Sequence, residues 1–240
     1  MFKPTLAALA AATSVLVAFA ASTANAEILT ATFAGVVVSV QGGDILGLFG
    51  PPGSDLVGQA VTATYRIDDS KGVSSYNPPL SSVIFGGPAF GTQSPIATTL
   101  TIGGKSLVIA GTYESQANQS GPASGSPSVG YSTDDRSSTQ DGFIDVSSAN
   151  YLNNILTSYD YHIAPPYATD PNLSYGLLNE NVFVGGNWTG AGTVMWLPTS
   201  FTFSVSSDVP EPSSWAMLLL GFAATGTLLR IARKGAASAG

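Results

Sequence analysis

Residues 98–109 read Thr-Thr-Leu-Thr-Ile-Gly-Gly-Lys-Ser-Leu-Val-Ile, and this stretch decides the fold class. Gly103-Gly104 forms a two-residue turn between two runs of alternating apolar residues, which is the pattern of a β-hairpin. The turn predicts that Leu100 lies opposite Leu107. A slip of one residue would expose the leucines to solvent, so the turn and the alternation favour the same register.

Period-two alternation recurs on both sides of this hairpin, with little helical periodicity. The apolar positions change parity after Gly35, which predicts a bulge or bend there. The segment Ala117–Gln140 is rich in Ser, Gly, Asn and Asp and predicts a long, mobile loop. Tyr151–Ser158 fits a strand or a short helix. Other strands are predicted at Val61–Ile67, Gly142–Ser147, Leu177–Val184, Thr193–Leu197 and Phe201–Val205. Strands without a βαβ rhythm indicate an all-β, antiparallel β-sandwich or jelly-roll-like domain.

Composition narrows the class of protein. There are no cysteines, which excludes disulfides, thiol catalysis and zinc–thiolate sites. Between residues 27 and 209, four Lys or Arg face fourteen Asp or Glu. Such an acidic domain repels nucleic acid, so no nucleic-acid role is expected.

The N-terminal segment Met1–Ala26 reads as a signal peptide. Lys3 is the basic start, residues 6–21 are apolar, and Ala24-Asn25-Ala26 has the small-x-small form that signal peptidase requires. Cleavage after Ala26 would leave a secreted β-rich domain, residues 27–208, followed by a separate tail at 209–235.

The tail has three parts. Pro210-Glu211-Pro212 ends the preceding strand, because proline cannot donate a ladder hydrogen bond. Ser213–Leu229 is 17 residues without a charge, about 25 Å long as a helix and close to the short limit of a transmembrane span. Flanking residues suited to the two membrane interfaces are Trp215 on one side and Arg230, Arg233 and Lys234 on the other.

The tripeptide, the short apolar helix and the basic cluster, in this order, resemble the PEP-CTERM sorting signal of Gram-negative bacteria. The resemblance implies that Pro210, Glu211 and Pro212 are recognised by an exosortase, a membrane-embedded processing enzyme. It also implies a transient hold in the inner membrane, then delivery to the cell surface or the extracellular space. The family is associated with biofilm and exopolysaccharide production.

Candidate chemistry in the domain is sparse. His162 is the only histidine, and it could pair with Asp160 in a Ser-His-Asp enzyme. A Gly-x-Ser-x-Gly nucleophile elbow is absent, so we expect a loop or strand residue beside Tyr159 and Tyr161 instead. An acidic pair, Asp68-Asp69, follows a predicted strand and is one of two candidate sites for structural calcium.

Four acidic residues cluster within a short segment that also carries Gly142 and several hydroxyls. Flexible acidic loops supply the oxygens that calcium prefers, so a calcium site is possible here, although the EF-hand spacing fails. The residues are Asp134, Asp135, Asp141 and Asp145.

The leading hypothesis is therefore a non-enzymatic protein of the cell surface or matrix, structural or adhesive in a biofilm or exopolysaccharide context. Two alternatives stay open: an exported carbohydrate- or calcium-binding module, and an exported hydrolase of polysaccharides or esters.

Overall fold

The computed structural model describes residues 27–124, 127–136, 142–150, 158–165, 174–184 and 187–207. Within them the chain forms antiparallel strands and two single 3₁₀ turns, Pro88–Phe90 and Pro122–Ser124. The strands are β1 (Glu27–Gln41), β2 (Ala60–Asp68), β3 (Val73–Asn77), β4 (Ser81–Gly86), β5 (Ile96–Ile102), β6 (Lys105–Ile109), β7 (Glu114–Ser120), β8 (Ser128–Arg136), β9 (Gly142–Asn150), β10 (Ser174–Val184) and β11 (Asn187–Ser207). The predicted all-β class is confirmed.

These strands belong to a single sheet in the order β3-β4-β7-β8-β9-β10-β11-β1-β2-β5-β6. The sheet curls until β5 and β6 pack against β7 and β8. A hydrogen bond of 2.6 Å between the hydroxyls of Thr98 and Thr133 joins the two layers in the interior. The packing is thus sandwich-like, but it is made by one continuous sheet.

The Gly103-Gly104 hairpin forms as predicted. Leu100 lies opposite Leu107 and Thr98 opposite Ile109. Both glycines have positive φ, 57° and 83°, which a primed two-residue turn requires. Thr98, Leu100 and Ile102 are buried together, so the alternation does place one face of the hairpin in the core.

The core lies between the layers and is centred on aromatic side chains. The ring of Phe33 packs edge-on against Tyr65, with centroids 6.2 Å apart, and against Tyr131 at 5.9 Å. Phe201 closes the group from β11, with its ring centroid 4.7 Å from that of Phe33. Burial of such rings is the largest hydrophobic contribution available to a domain without disulfides.

Two sequence predictions are wrong. The segment Ala117–Gln140 is largely strand rather than loop. Residues 114–120 of β7 pair with residues 128–134 of β8. Their Ser, Asn and Gln side chains are poor strand formers, and burial between neighbouring strands overrides that preference.

The predicted bulge at Gly35 is also not found. β1 pairs with β2 without interruption from Ile28 to Val36, and Val37, not Val36, is buried. Gly35 lies on the buried face of β1, and the backbone of β11 packs closely against it. A Cβ at Gly35 would lie 2.1 Å from the carbonyl oxygen of Leu197.

Residues Glu27–Ser206 form one compact unit. The predicted signal peptide, the tail after residue 207, and Tyr151–Thr157 lie outside the described residues. In the described part of the chain, no helix is long and apolar enough to cross a membrane. The domain boundaries and the transmembrane segment stay predictions.

Candidate functional site

His162 lies on a segment, residues 158–165, that crosses β4 and β7. Two buried polar side chains fix this segment. The hydroxyl of Ser82 donates to the carbonyl of Tyr159 (2.7 Å) and accepts the N–H of Tyr161 (2.9 Å), while Gln119 donates to the carbonyl of Ser158 (2.9 Å). The segment has no helix or strand of its own, so its position depends on these hydrogen bonds to the sheet.

The imidazole of His162 faces a carboxylate on each side. Its Nδ1 lies 2.7 Å from Oδ1 of Asp160, and its Nε2 makes a short contact with Oδ2 of Asp69. The hydroxyl of Tyr76 lies 3.0 Å from Nδ1. The ring is therefore oriented by groups from three separate parts of the chain.

Asp69 follows β2 and is itself held in place. Its N–H donates to the carbonyl of Glu27 at the start of β1 (3.2 Å). The hydroxyl of Tyr161 donates to Oδ1 of Asp69 (3.0 Å). One ligand atom each from Glu27, Asp69 and His162 lies within 4.8 Å of the others. We call Glu27, Asp69, Asp160 and His162 the histidine cluster.

Tyrosine rings flank the imidazole. The ring centroid of Tyr161 lies 4.2 Å from that of His162 with 26° between the planes. The ring of Tyr76 lies parallel to the imidazole at 6.1 Å. Tyr161 is buried and Tyr76 is 47 % exposed, so the cluster is walled on one side and open to solvent on the other.

The carboxylates favour the charged imidazole. The hydrogen bond to Asp69, and more weakly that to Asp160, raises the pKa of His162 to about 9, against the opposing effect of burial. Burial raises the pKa of both the Tyr76 and the Tyr161 phenols, so both phenols are neutral at physiological pH.

The structure thus combines features that the sequence left separate. The sequence suggests a pairing of His162 with Asp160 and shows Asp68-Asp69 as an acidic pair, but no spacing signal joins residues 69 and 162. Among the hydrogen bonds of the described residues, neither ring nitrogen of His162 contacts a serine hydroxyl. A Ser-His-Asp arrangement is not assembled around it there.

The acidic residues predicted to bind calcium lie along β8 and β9. Asp134 and Asp135 are neighbours on β8, so their side chains leave opposite faces of the sheet. Asp135 accepts the N–H groups of Ala110 (3.0 Å) and Thr112 (2.7 Å), where the chain leaves β6. The backbone of Asp145 lies opposite Asp134, and Asp141 is outside the described residues. The calcium site stays a prediction.

A second polar centre, which the sequence does not predict, lies in the β1–β2 loop. The carboxylate of Asp44, fully buried in the β1–β2 loop, accepts the N–H groups of Leu48, Phe49 and Gly50, each at 2.7 Å. Glu180, also fully buried on β10, accepts the N–H of Leu46 at 2.8 Å. We call this pair the loop clamp.

Burial, together with the neighbouring Asp44 carboxylate, raises the pKa of Glu180 to about 7. In the sequence, the one indication of this centre is the position of Glu180 in the alternation of β10. Glu180 shares the buried face of β10 with Gly176 and Leu178, which is an unusual place for an acid.

The β fold and the segment that follows it define a class: an exported all-β protein with a C-terminal sorting motif. Residues 208–234 match the family model of the PEP-CTERM protein-sorting motif. This confirms the resemblance drawn from Pro210-Glu211-Pro212 and the segment that follows. The motif indicates an exported protein that an exosortase processes at the membrane. No curated protein and no solved structure matches the chain.

Proposed function

We propose that this protein is a non-catalytic structural or adhesive component of the cell surface or extracellular matrix. The observation that carries the proposal is the sorting motif at residues 208–234, which addresses the chain to an exosortase. In this scheme signal peptidase cleaves after Ala26, and the tail holds the protein transiently in the inner membrane. Exosortase then acts at Pro210-Glu211-Pro212.

The β unit suits contact with a polysaccharide matrix. The outermost strand β3 has five exposed side chains, among them Ser74, Ser75, Tyr76 and Asn77. Hydroxyl and amide groups both donate and accept hydrogen bonds, as sugar hydroxyls do.

Delivery is tested by mass spectrometry of the mature C-terminus from fractionated cells. We expect a terminus near Pro210–Pro212 in the surface or extracellular fraction. In the Glu211→Ala variant we expect the intact Arg233-Lys234 end to accumulate in the inner membrane. The Asp55→Asn variant, which changes an exposed acid of the β1–β2 loop outside the motif, is the control and should be processed normally. An intact tail on the mature wild-type protein would contradict processing by an exosortase.

Adhesion is tested by sedimenting the processed protein with the exopolysaccharide of the producing cells. Saturable co-sedimentation with that polymer, and none with an unrelated one, is expected. A protein that stays in the supernatant at every concentration would eliminate the adhesive role. New reducing ends in the sedimented polymer would instead overturn the non-catalytic part and favour a hydrolase.

A further inference from the structure

The histidine cluster carries more negative charge than its own residues compensate. Three carboxylates, from Glu27, Asp69 and Asp160, surround one imidazole. With a protonated ring and the α-ammonium group that cleavage after Ala26 would leave on Glu27, the group still has an excess of one negative charge. The ion pairs of the described residues bring no lysine or arginine to it; the one lysine pair nearby, Lys71 with Asp68, lies outside the cluster. Like charges held this close favour a bound cation.

The donor atoms converge as metal ligands do. A carboxylate oxygen of Glu27, one of Asp69 and a ring nitrogen of His162 lie within 4.8 Å of one another. Two bonds of about 2.2 Å to one central ion join atoms up to ~4.4 Å apart, so a small adjustment of the exposed Glu27 side chain brings the three atoms within reach of one ion. Glu27 is exposed, and Asp69 and His162 are half-buried. Three protein ligands on an open face leave a fourth position for water, as in zinc sites with three protein ligands.

The surrounding hydrogen bonds orient these donors. Metal-bound histidines almost always donate their other ring N–H to a carboxylate, a backbone carbonyl or water, and Asp160 lies 2.7 Å from Nδ1 of His162. That contact leaves Nε2, which faces Asp69, as the ring nitrogen that can bind the ion. The buried Tyr161 hydroxyl holds Oδ1 of Asp69 at 3.0 Å, so that Oδ2 faces His162. Each of the two ligands is thus fixed by a partner that does not itself face the ion.

We propose that Glu27, Asp69 and His162 bind a divalent transition-metal ion of the zinc class, with Asp160 and Tyr161 as positioning residues. The imidazole ligand favours such ions over calcium, which takes six to eight oxygens. On binding, the ion replaces the proton that the His162 Nε2 otherwise shares with Asp69, and that proton is released to solvent. The site is distinct from the acidic residues of β8 and β9 and does not depend on the matrix role.

Because His162 is the only histidine in the chain, its ring nitrogens give an unambiguous NMR signal. The test uses ¹⁵N-labelled, processed protein from cells that make the full-length chain. The protein carries no polyhistidine tag, is purified by anion exchange, and is freed of bound metal with a chelator. One equivalent of Zn²⁺ should move the Nε2 resonance to the metal-bound range while Nδ1 stays protonated. An unchanged imidazole spectrum at several equivalents would overturn the proposal.

Variants assign the ligands. By titration calorimetry with ZnCl₂ we expect one site per chain, and a loss of affinity of tenfold or more in Asp69→Asn and in Glu27→Gln. Asp160→Asn should weaken binding by about tenfold, the usual cost of removing an outer partner, and should also mix the two imidazole tautomers. Asp55→Asn, which changes an exposed acid in the β1–β2 loop, is the matched control and should bind as the wild type does.

Equal affinity in wild type and Asp69→Asn, or equal affinity for Ca²⁺ and Zn²⁺, would contradict the assignment. The NMR experiment uses wild-type protein, so it decides the question even if a variant fails to fold.

Discussion

The loop clamp and the histidine cluster are both built from carboxyl groups, but they differ in hydrogen-bond partners and in exposure to solvent. In the loop clamp, the Asp44 carboxylate is closed off from solvent and accepts three backbone N–H groups. In the histidine cluster, the carboxylates converge on one ring and one side stays open to solvent. Backbone N–H groups give a carboxylate hydrogen bonds that last as long as the fold does. Several carboxylates that converge on one ring keep negative charge that a bound cation can neutralise. We infer that the loop clamp stabilises the fold and that the histidine cluster binds a metal ion.

The largest effect is expected from Asp44→Ala. The change leaves three N–H groups of the β1–β2 loop without their acceptor, which should lower the free energy of unfolding by roughly 3–5 kcal/mol. Denaturant unfolding measures it. Asp55→Asn, in the same loop but exposed, should change stability little. A loss below about 1 kcal/mol for Asp44→Ala would remove the distinction between the two centres.

Glu180 makes stability depend on pH. Its pKa is raised from 4.5 to about 7 in the folded protein, so the folded state binds more protons than the unfolded state between these values. Stability from this group is fully present below pH 4.5 and is lost as pH rises towards 7, by up to about 3 kcal/mol. The difference between wild type and Glu180→Gln isolates the effect from His162, which changes stability in the same direction at higher pH. Parallel pH profiles of the two proteins would contradict this prediction.

The approach of the β1–β2 loop to β11 is tested at two glycines on the same strand. A Cβ at Gly192 would lie 2.5 Å from the carbonyl oxygen of Gly43, whereas at Gly190 the nearest atom, Cδ1 of Ile45, is 3.9 Å away. Gly192→Ala should cost roughly 1–3 kcal/mol, and Gly190→Ala should be close to neutral. Thermal unfolding of the two variants compares them directly. Equal melting temperatures would mean that the loop does not need this close approach.

The smallest effect is expected from Tyr161→Phe, measured in chelator. It removes the hydroxyl that Asp69 accepts at 3.0 Å, and water can replace that donor because the cluster is open. We expect a loss of about 1 kcal/mol in denaturant unfolding. Tyr76→Phe, on the exposed side, should cost less. A loss larger than that of Asp44→Ala would reverse the comparison and make the histidine cluster the structural centre.

Where neighbouring residues carried the information, the sequence was a reliable guide. The Gly103-Gly104 turn fixed its hairpin, because both the turn geometry and the alternation lie within twelve residues. The strands near Gly142 and Leu177 were also anticipated, although with different ends. Ala117–Gln140 failed because its composition is that of a loop, while its pairing partners, β4 and β9, come from other parts of the chain.

The two polar centres show the same division. Asp160 and His162 are close in sequence and could be paired in advance. Asp69 joins them only because the 158–165 segment is bonded to Ser82 and Gln119, which the curled sheet presents. Asp44 and Glu180 are brought together by the packing of a glycine-rich loop on β10 and β11.

Short patterns in the sequence indicate an all-β domain and a sorting motif that an exosortase recognises and that implies export. Such properties are read by local geometry or by another enzyme from a short segment. Which acids accept backbone N–H groups and which converge on His162 is set by the tertiary structure. That choice depends on strand pairings between residues distant in sequence, which no local pattern encodes.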